Sequence, residues 1–446
     1  MGLHARKRTS QDATSGDDIE AAPSSGGVIK VHMKRSRWKA LLGHDASGVQ
    51  LALYAVLGFL SFALVISYFL LHHQQRKVIL HVMHDPIGHV GAALKGRVGF
   101  RHHFYTGHPR TVTVVMPSVV NPGGRDRRLQ SILETWGPTA RAVFVVHNVT
   151  EFPQASHNVL GEQSKPEDAY SYPQLLLVPS EIGEKDGVPR LNHVIQTVYE
   201  KINPDFAFFV NDHTFVIPEH LCKFLEHSSP DNDMYAGHAM KNQKDVFNSG
   251  AAGYILSRQT MKRLVKAWDD EDPICLPKTD DKWLNNNPGL VTTQCLAKVL
   301  GVDATDTRHE GKFHRFHAFP LTRMVSGKVD EWYKNKHNGM DKLLGVDESY
   351  NTLLAGAECC AQDTVSFHYV EYLESRAIFA VRDALLKNPH MHDHELQNLM
   401  EAEWPRSHKE IGGYSRGLPK NTDEEAWKPL LHTMRKLSSR HTQREC

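Results

Sequence analysis

Between residues 111 and 268, short β-branched and aromatic runs alternate with stretches of helical spacing, and that alternation leaves few architectures open. Thr111-Val112-Thr113-Val114-Val115-Met116, closed by Pro117, predicts a strand. A helix is predicted from about Asp126 to Trp136, stopped by Gly137-Pro138. Further strands are predicted over 142–146, 174–178 and 206–210. Val194, Ile195, Val198 and Ile202 give residues 191–202 a helical stripe. Strands separated by helices of about a dozen residues imply an α/β fold with a mostly parallel sheet and helices on both faces. Later strands are expected over 234–238, 252–256 and 365–370, and a helix over 258–268. Beyond residue 385 the chain turns charged, with Pro and His, and predicts a partly helical, poorly packed extension.

Gly48 to Leu71 carries no charged residue and is long enough to cross a hydrocarbon core of about 30 Å. Lys30, Lys34, Arg35, Arg37 and Lys39 precede it, and only Arg76 and Lys77 follow closely. The positive-inside rule then predicts a cytosolic N-terminus and a lumenal C-terminal part. Residues 1–47 are polar and read as a disordered tail, and 72–108 as a stem. All six cysteines (Cys222, Cys275, Cys295, Cys359, Cys360 and Cys446) fall on the expected lumenal side, which suits an oxidising compartment. No CxxC spacing suggests zinc, and their pairing cannot be deduced. Asn148-Val149-Thr150 is a glycosylation sequon that this orientation would make usable. With 52 Lys+Arg against 51 Asp+Glu, the chain has no net field to draw in nucleic acid, and none is expected as a partner.

The candidate site lies where Phe206-Ala207-Phe208-Phe209-Val210 opens into Asn211-Asp212-His213-Thr214. Ligands of parallel α/β sheets bind beyond the carboxyl ends of the strands. An Asp and a His there offer oxygen and nitrogen donors at the rim of the sheet. A second histidine, His368, sits in the run Val365 to Val370. Asp212 or His213 would supply a first ligand to a divalent cation and His368 a second, and imidazole favours Mn²⁺ over Mg²⁺. The plainer readings are a turn-capping carboxylate for Asp212 and a core histidine for His368.

Four stretches occur in the order found in the inverting β1,3-glycosyltransferases that include fringe and the core 1 β1,3-galactosyltransferase. They are Arg127 to Trp136, Asp205 to Ile217, Asn248-Ser249-Gly250-Ala251-Ala252-Gly253-Tyr254-Ile255-Leu256-Ser257, and Glu358-Cys359-Cys360-Ala361-Gln362-Asp363 leading to Ser366-Phe367-His368-Tyr369-Val370. The last two resemble the core 1 branch in particular. The resemblance spans roughly residues 110 to 380. It implies a GT-A-like fold, a Mn²⁺ or other divalent cation, a UDP-sugar donor (UDP-galactose) and a glycoprotein acceptor carrying O-linked N-acetylgalactosamine. By position, Asn211, Asp212 and His213 fall on the family's acidic triplet, and His368 on the late histidine of its metal site. The implied metal set is Asp212, His213 and His368. The implied donor-binding set is Arg128, Trp136, Asn211, Asp212, Gly250 and Gly253.

Two positions depart from the family pattern. The triplet is Asn-Asp-His, with one carboxylate left. Where the family places a Glu-Asp pair that supplies the base for inversion, this chain has Pro288-Gly289. Asp280 and Asp281 lie just upstream and are the candidate base.

The layout expected from these readings is a tail (1–47), a signal-anchor helix (48–71), a stem (72–108), a glycosyltransferase-like domain (109–385) and a charged extension (386–446). A single-pass type II protein of the Golgi or ER membrane is expected, with a homodimer compatible. The rival expectation is a non-catalytic relative that serves as a lumenal chaperone or glycan-binding partner.

Overall fold

The computed structural model describes residues 110–118, 125–140, 142–148, 174–242, 245–277, 287–328, 330–347, 354–405, 417–420 and 423–439. All of them belong to the compact unit Ile87–Cys446. The expected tail, membrane span and stem lie outside the described residues, as do Asp280 and Asp281. Among the described residues, no helix is long and apolar enough to cross a membrane.

The expected mixed α/β class is observed. Strand β1 (Thr111–Met116) leads to helix α1 (Arg125–Glu134), β2 (Val143–Asn148), β3 (Gln174–Val178), α2 (Gly187–Thr197) and β4 (Phe206–Asn211). Then follow β5 (Phe215–Val216), α3 (Pro218–Leu225), β6 (Tyr235–Gly237), β7 (Ala239–Asn242), β8 (Asp245–Asn248), β9 (Tyr254–Ser257), α4 (Arg258–Asp269) and α5 (Pro288–Gln294). After β10 (Phe316–His317), single-turn helices cover Leu321–Val325, Glu331–Asn335 and Met340–Leu344. The described chain ends with β11 (Ser366–Phe367), α6 (Tyr372–Lys387), α7 (Asp393–Glu403) and α8 (Glu424–Leu437).

The central sheet runs β3-β2-β1-β4-β9-β6. Strands β3, β2, β1 and β4 are parallel, and β9 is antiparallel to both β4 and β6. Both faces are buried, because alternate residues feed two separate cores. Phe206, Phe208 and Val210 of β4 point into one and Ala207 and Phe209 into the other. Helices α2 and α4 close the second face with Leu191, Val194, Met261 and Leu264.

The first face is covered by α1, α3 and the C-terminal helices, which corrects the expected poorly packed extension. Leu396, Met400, Trp404, Trp427, Leu430, Leu431, Met434 and Leu437 are all buried in that core. In α8 these apolar side chains recur three and four apart, and the charged residues between them mask the stripe in a composition-based reading. The expected strand over 365–370 is also shorter. Only Ser366 and Phe367 pair, with β10 on one side and β5 on the other.

Among the described residues, disulfides join Cys275 to Cys295 and Cys359 to Cys360, and Cys222 is also disulfide-bonded. The sequon asparagine is not presented to solvent. Asn148 is buried at the end of β2 and its Oδ1 accepts a hydrogen bond from Arg190, so the folded chain does not offer it for modification.

Candidate functional site

The turn after β4 is built by its own polar atoms. Asn211 Oδ1 accepts from the His213 amide at 2.9 Å, and the Asn211 carbonyl accepts from the Thr214 amide at 2.9 Å. Asn favours such a turn because its side chain bonds the backbone two residues on. Thr214 Oγ1 donates to the Ala251 carbonyl at 3.0 Å and thereby ties the turn to the glycine segment.

Strand pairing brings in the second half of the site. Phe367 of β11 lies opposite Phe215 of β5, the Val370 amide donates to the His213 carbonyl at 3.0 Å, and the His368 amide donates to the His317 carbonyl at 3.0 Å. The rings of His213 and His368 consequently stand 6.1 Å apart between centroids. Tyr369, between His368 and Val370, has φ 57°, a left-handed conformation that is strained for a bulky L-residue. Such outliers persist where surrounding structure over-determines them, as the two flanking backbone hydrogen bonds do here.

Burial holds the His368 imidazole well below the ordinary histidine range, and the neighbouring His213 ring pushes it the same way. It is a neutral nitrogen donor at physiological pH. Nδ1 of His368 and Nδ1 of His213 are both buried without a hydrogen-bond partner. Glu371 Oε1 lies 3.6 Å from His213 Nδ1. A carboxylate thus stands beside the His213 ring, while the donor atoms of His213, His368 and Glu371 do not all lie within 4.8 Å of one another. Glu371 was absent from the sequence reading. Its position just after the Ser-Phe-His-Tyr-Val run, at the start of a helix, was the available signal.

Asp212 is occupied differently from its expected role as a metal ligand. Its side chain is fully buried, Oδ2 accepts from Arg128 Nε at 2.9 Å and Oδ1 accepts from the Ser118 amide at 2.9 Å. Both oxygens are used in fixing α1 and the end of β1 to the turn. Arg128 is the buried half of that ion pair, and Trp136 is packed in the core with 1% exposure, so neither presents the surface expected of a donor contact. Among the described residues, the group of three His, Cys, Asp or Glu whose donor atoms lie within 4.8 Å of one another is His317, Cys359 and Cys360, and those two sulfurs are disulfide-bonded. Asp212, His213 and His368 are not such a preassembled group.

The two glycines of the donor-binding set differ. Gly253 has φ 87°, and a Cβ there would lie 2.6 Å from the Phe208 ring and 2.9 Å from Val210. Gly250 is exposed, and a Cβ there would meet nothing within 4 Å. Gly253→Ala should therefore destabilise the protein by about 3 kcal/mol or more, from backbone strain plus overpacking. Gly250→Ala should stay within about 0.5 kcal/mol of the parent. Urea midpoints of the two variants test this, and equal midpoints would remove the packing role of Gly253.

No family model matches the chain. Glycoprotein-N-acetylgalactosamine 3-beta-galactosyltransferase 1 from Xenopus laevis is 28% identical over 171 residues, covering 37% of this chain and 42% of the relative. The chain thus matches less than half the length of that relative. A crystal structure of the galactosyltransferase LgtC in complex with donor and acceptor sugar analogues covers 71% of this chain and 99% of that chain, at TM-score 0.27 and 10% identity, an overlap too loose to support any inference. By the order of its motifs and by the match to the Xenopus enzyme, the chain is similar to the β1,3-galactosyltransferase-like family, and its last two motifs resemble the core 1 branch.

Proposed function

We propose that the chain is a type II membrane glycosyltransferase that transfers galactose from UDP-galactose, in β1,3 linkage and with inversion, to O-linked N-acetylgalactosamine on glycoproteins. It would be anchored by residues 48–71 in the Golgi or ER membrane, with the domain from about residue 109 in the lumen. The observation that carries this reading is the docking of the Asn211–Thr214 turn onto His368 through the β5–β11 pairing. That pairing unites two stretches of the family pattern that are far apart in the chain.

His213 and His368 would hold a divalent cation, Mn²⁺ by preference, with Glu371 as the third donor. Its chemistry there would be to neutralise the charge that develops on a diphosphate leaving group. The residues themselves have separate tasks. Asp212 and Arg128 brace the turn, Gly250 leaves room at the surface of the donor segment, and Gly253 lets that segment pack on β4. Asp281 or Asp280 would take the acceptor hydroxyl proton.

Calorimetric titration with UDP, with and without Mn²⁺, tests the reading. Metal-dependent binding is expected, and His213→Ala or His368→Ala should weaken it about tenfold or more. The second reading, a non-catalytic lumenal chaperone or glycan-binding partner, is favoured by the engagement of both Asp212 oxygens with Arg128 and Ser118, which leaves the triplet without an uncommitted carboxylate. UDP binding absent under both conditions would select it.

A further inference from the structure

Four aromatic side chains from three distant stretches meet in the interior one strand away from His368. His238 lies between β6 and β7, His314 precedes β10, and Tyr333 and His337 belong to the short helix and turn after residue 330. All four are buried, with His337 at 0% and His238 at 1% exposure. His238 Nε2 lies 2.6 Å from Tyr333 Oη and 2.9 Å from His337 Nε2. The His314 ring stands 5.0 Å from that of His238 and 6.0 Å from that of His337, between centroids.

The hydrogen bonding of this cluster does not close with protons alone. His337 Nδ1 lies 2.9 Å from the Tyr333 carbonyl. A carbonyl only accepts, so Nδ1 carries the proton and neutral His337 turns the lone pair of Nε2 towards His238. If His238 is protonated on Nε2, its buried Nδ1 lone pair has no donor, while the Phe316 carbonyl favours an N–H on this ring. If it is protonated on Nδ1, two nitrogen lone pairs face each other at 2.9 Å. Protonating a ring would resolve the clash, but burial opposes it. The His337 imidazole is lowered to about 4, and those of His238 and His314 fall well below the ordinary range, each chiefly by desolvation. Neutral rings are the ligand-competent form.

We propose that His238 and His337, through Nε2, and Tyr333, through its phenol oxygen, bind one divalent transition-metal ion of the zinc class as a structural centre. Imidazole and phenol donors in a closed interior suit a borderline-soft ion better than Ca²⁺ or Mg²⁺. The main-chain carbonyl on His337 Nδ1 is the kind of outer partner that orients a metal-binding imidazole. Two nitrogens at about 2.0–2.1 Å from a tetrahedral ion sit roughly 3.3 Å apart, so the rings need part by only a few tenths of an ångström. The His314 ring packs beside both imidazoles. Such an ion would pin residues 333–337 to the start of β7, a strand whose Lys241 amide already donates to the Lys336 carbonyl at 3.0 Å.

The test is elemental analysis by mass spectrometry of the full-length protein purified without added metal or chelator. Zinc at about one equivalent per chain is expected, lost in His238→Gln and in His337→Gln and retained in His213→Ala, which keeps this cluster distinct from the turn after β4. Should the glutamine variants not fold, the parent protein serves. Stripping with a chelator should lower its Tm, adding Zn²⁺ should restore it, and Co²⁺ in place of Zn²⁺ should give the visible absorption of a tetrahedral site. Retained zinc below about a tenth of an equivalent, with no change of Tm on adding Zn²⁺, would overturn the proposal, as would retention in His337→Gln with loss in His213→Ala.

Discussion

Acidification from pH 8 to pH 5 should cost the protein about 4 kcal/mol of stability from two histidines alone. His220, on the buried face of α3, has Nδ1 2.7 Å from the Thr364 carbonyl, and desolvation, aided by Arg382, lowers its imidazole to about 4. His317, stacked on Phe367, is lowered to about 3 by desolvation and then by Lys436. In the unfolded chain both titrate near 6.5. The unfolded state therefore binds more protons between the two values, and stability falls as pH drops through 6.5. It is fully present above that point. Each ring contributes roughly 2 kcal/mol by pH 5, which is large against a typical total of about 5–15 kcal/mol. The neutral rings of His238, His314 and His368 act in the same direction, and so does any cation that they bind. Urea midpoints at pH 8, 6.5 and 5 measure the effect. A midpoint unchanged at pH 5 would mean that these rings are protonated in the native state.

Breaking the Arg128–Asp212 pair from one side should destabilise the protein by about 3–5 kcal/mol, because the surviving charge stays buried and loses its ion-pair partner. Both Asp212→Ala and Arg128→Ala should show this in denaturant titration. The side chains are 3% exposed or less, so water cannot take the place of the missing partner. The double variant Arg128→Met with Asp212→Leu should recover most of the loss, since a well-packed apolar pair avoids the desolvation cost altogether. Asp212→Asn, which still accepts from Ser118 and Arg128, should fall between. If Asp212 acted mainly as a metal ligand, Asp212→Ala would instead keep its urea midpoint and lose only metal-dependent UDP binding. Loss of activity in Asp212→Ala therefore does not identify a ligand unless stability is measured in the same sample.

The parts of the fold that were legible are those with strong local periodicity. Strands β1, β3 and β4 fall within a residue of their predicted bounds, because a β-branched or aromatic run buried on both faces has few alternatives. The turn after β4 was also legible, since Asn211 builds it from its own side chain. Residues 365–370 misled because a good strand composition says nothing about available partners. Strand β11 pairs over two residues, and the left-handed Tyr369 then turns the chain away. The C-terminal helices misled in the opposite sense, with charge at the surface concealing a stripe that fills the core.

The family resemblance implied that a late histidine belongs with the turn; the sequence by itself determined that strands and helices alternate and that a polar turn stands at the carboxyl end of the central strand. Those features rest on interactions between near neighbours, or on patterns repeated along one element. Only the tertiary structure decided what each polar group does. Arg128 and Asp212 are 84 positions apart, and the packing of α1 against the end of β4 turns the one remaining carboxylate of the triplet into half of an ion pair. The same packing logic draws His238, Tyr333 and His337 together and sets Glu371 beside His213. Such meetings depend on how whole elements fill the volume between them, and no local window of the chain contains that information.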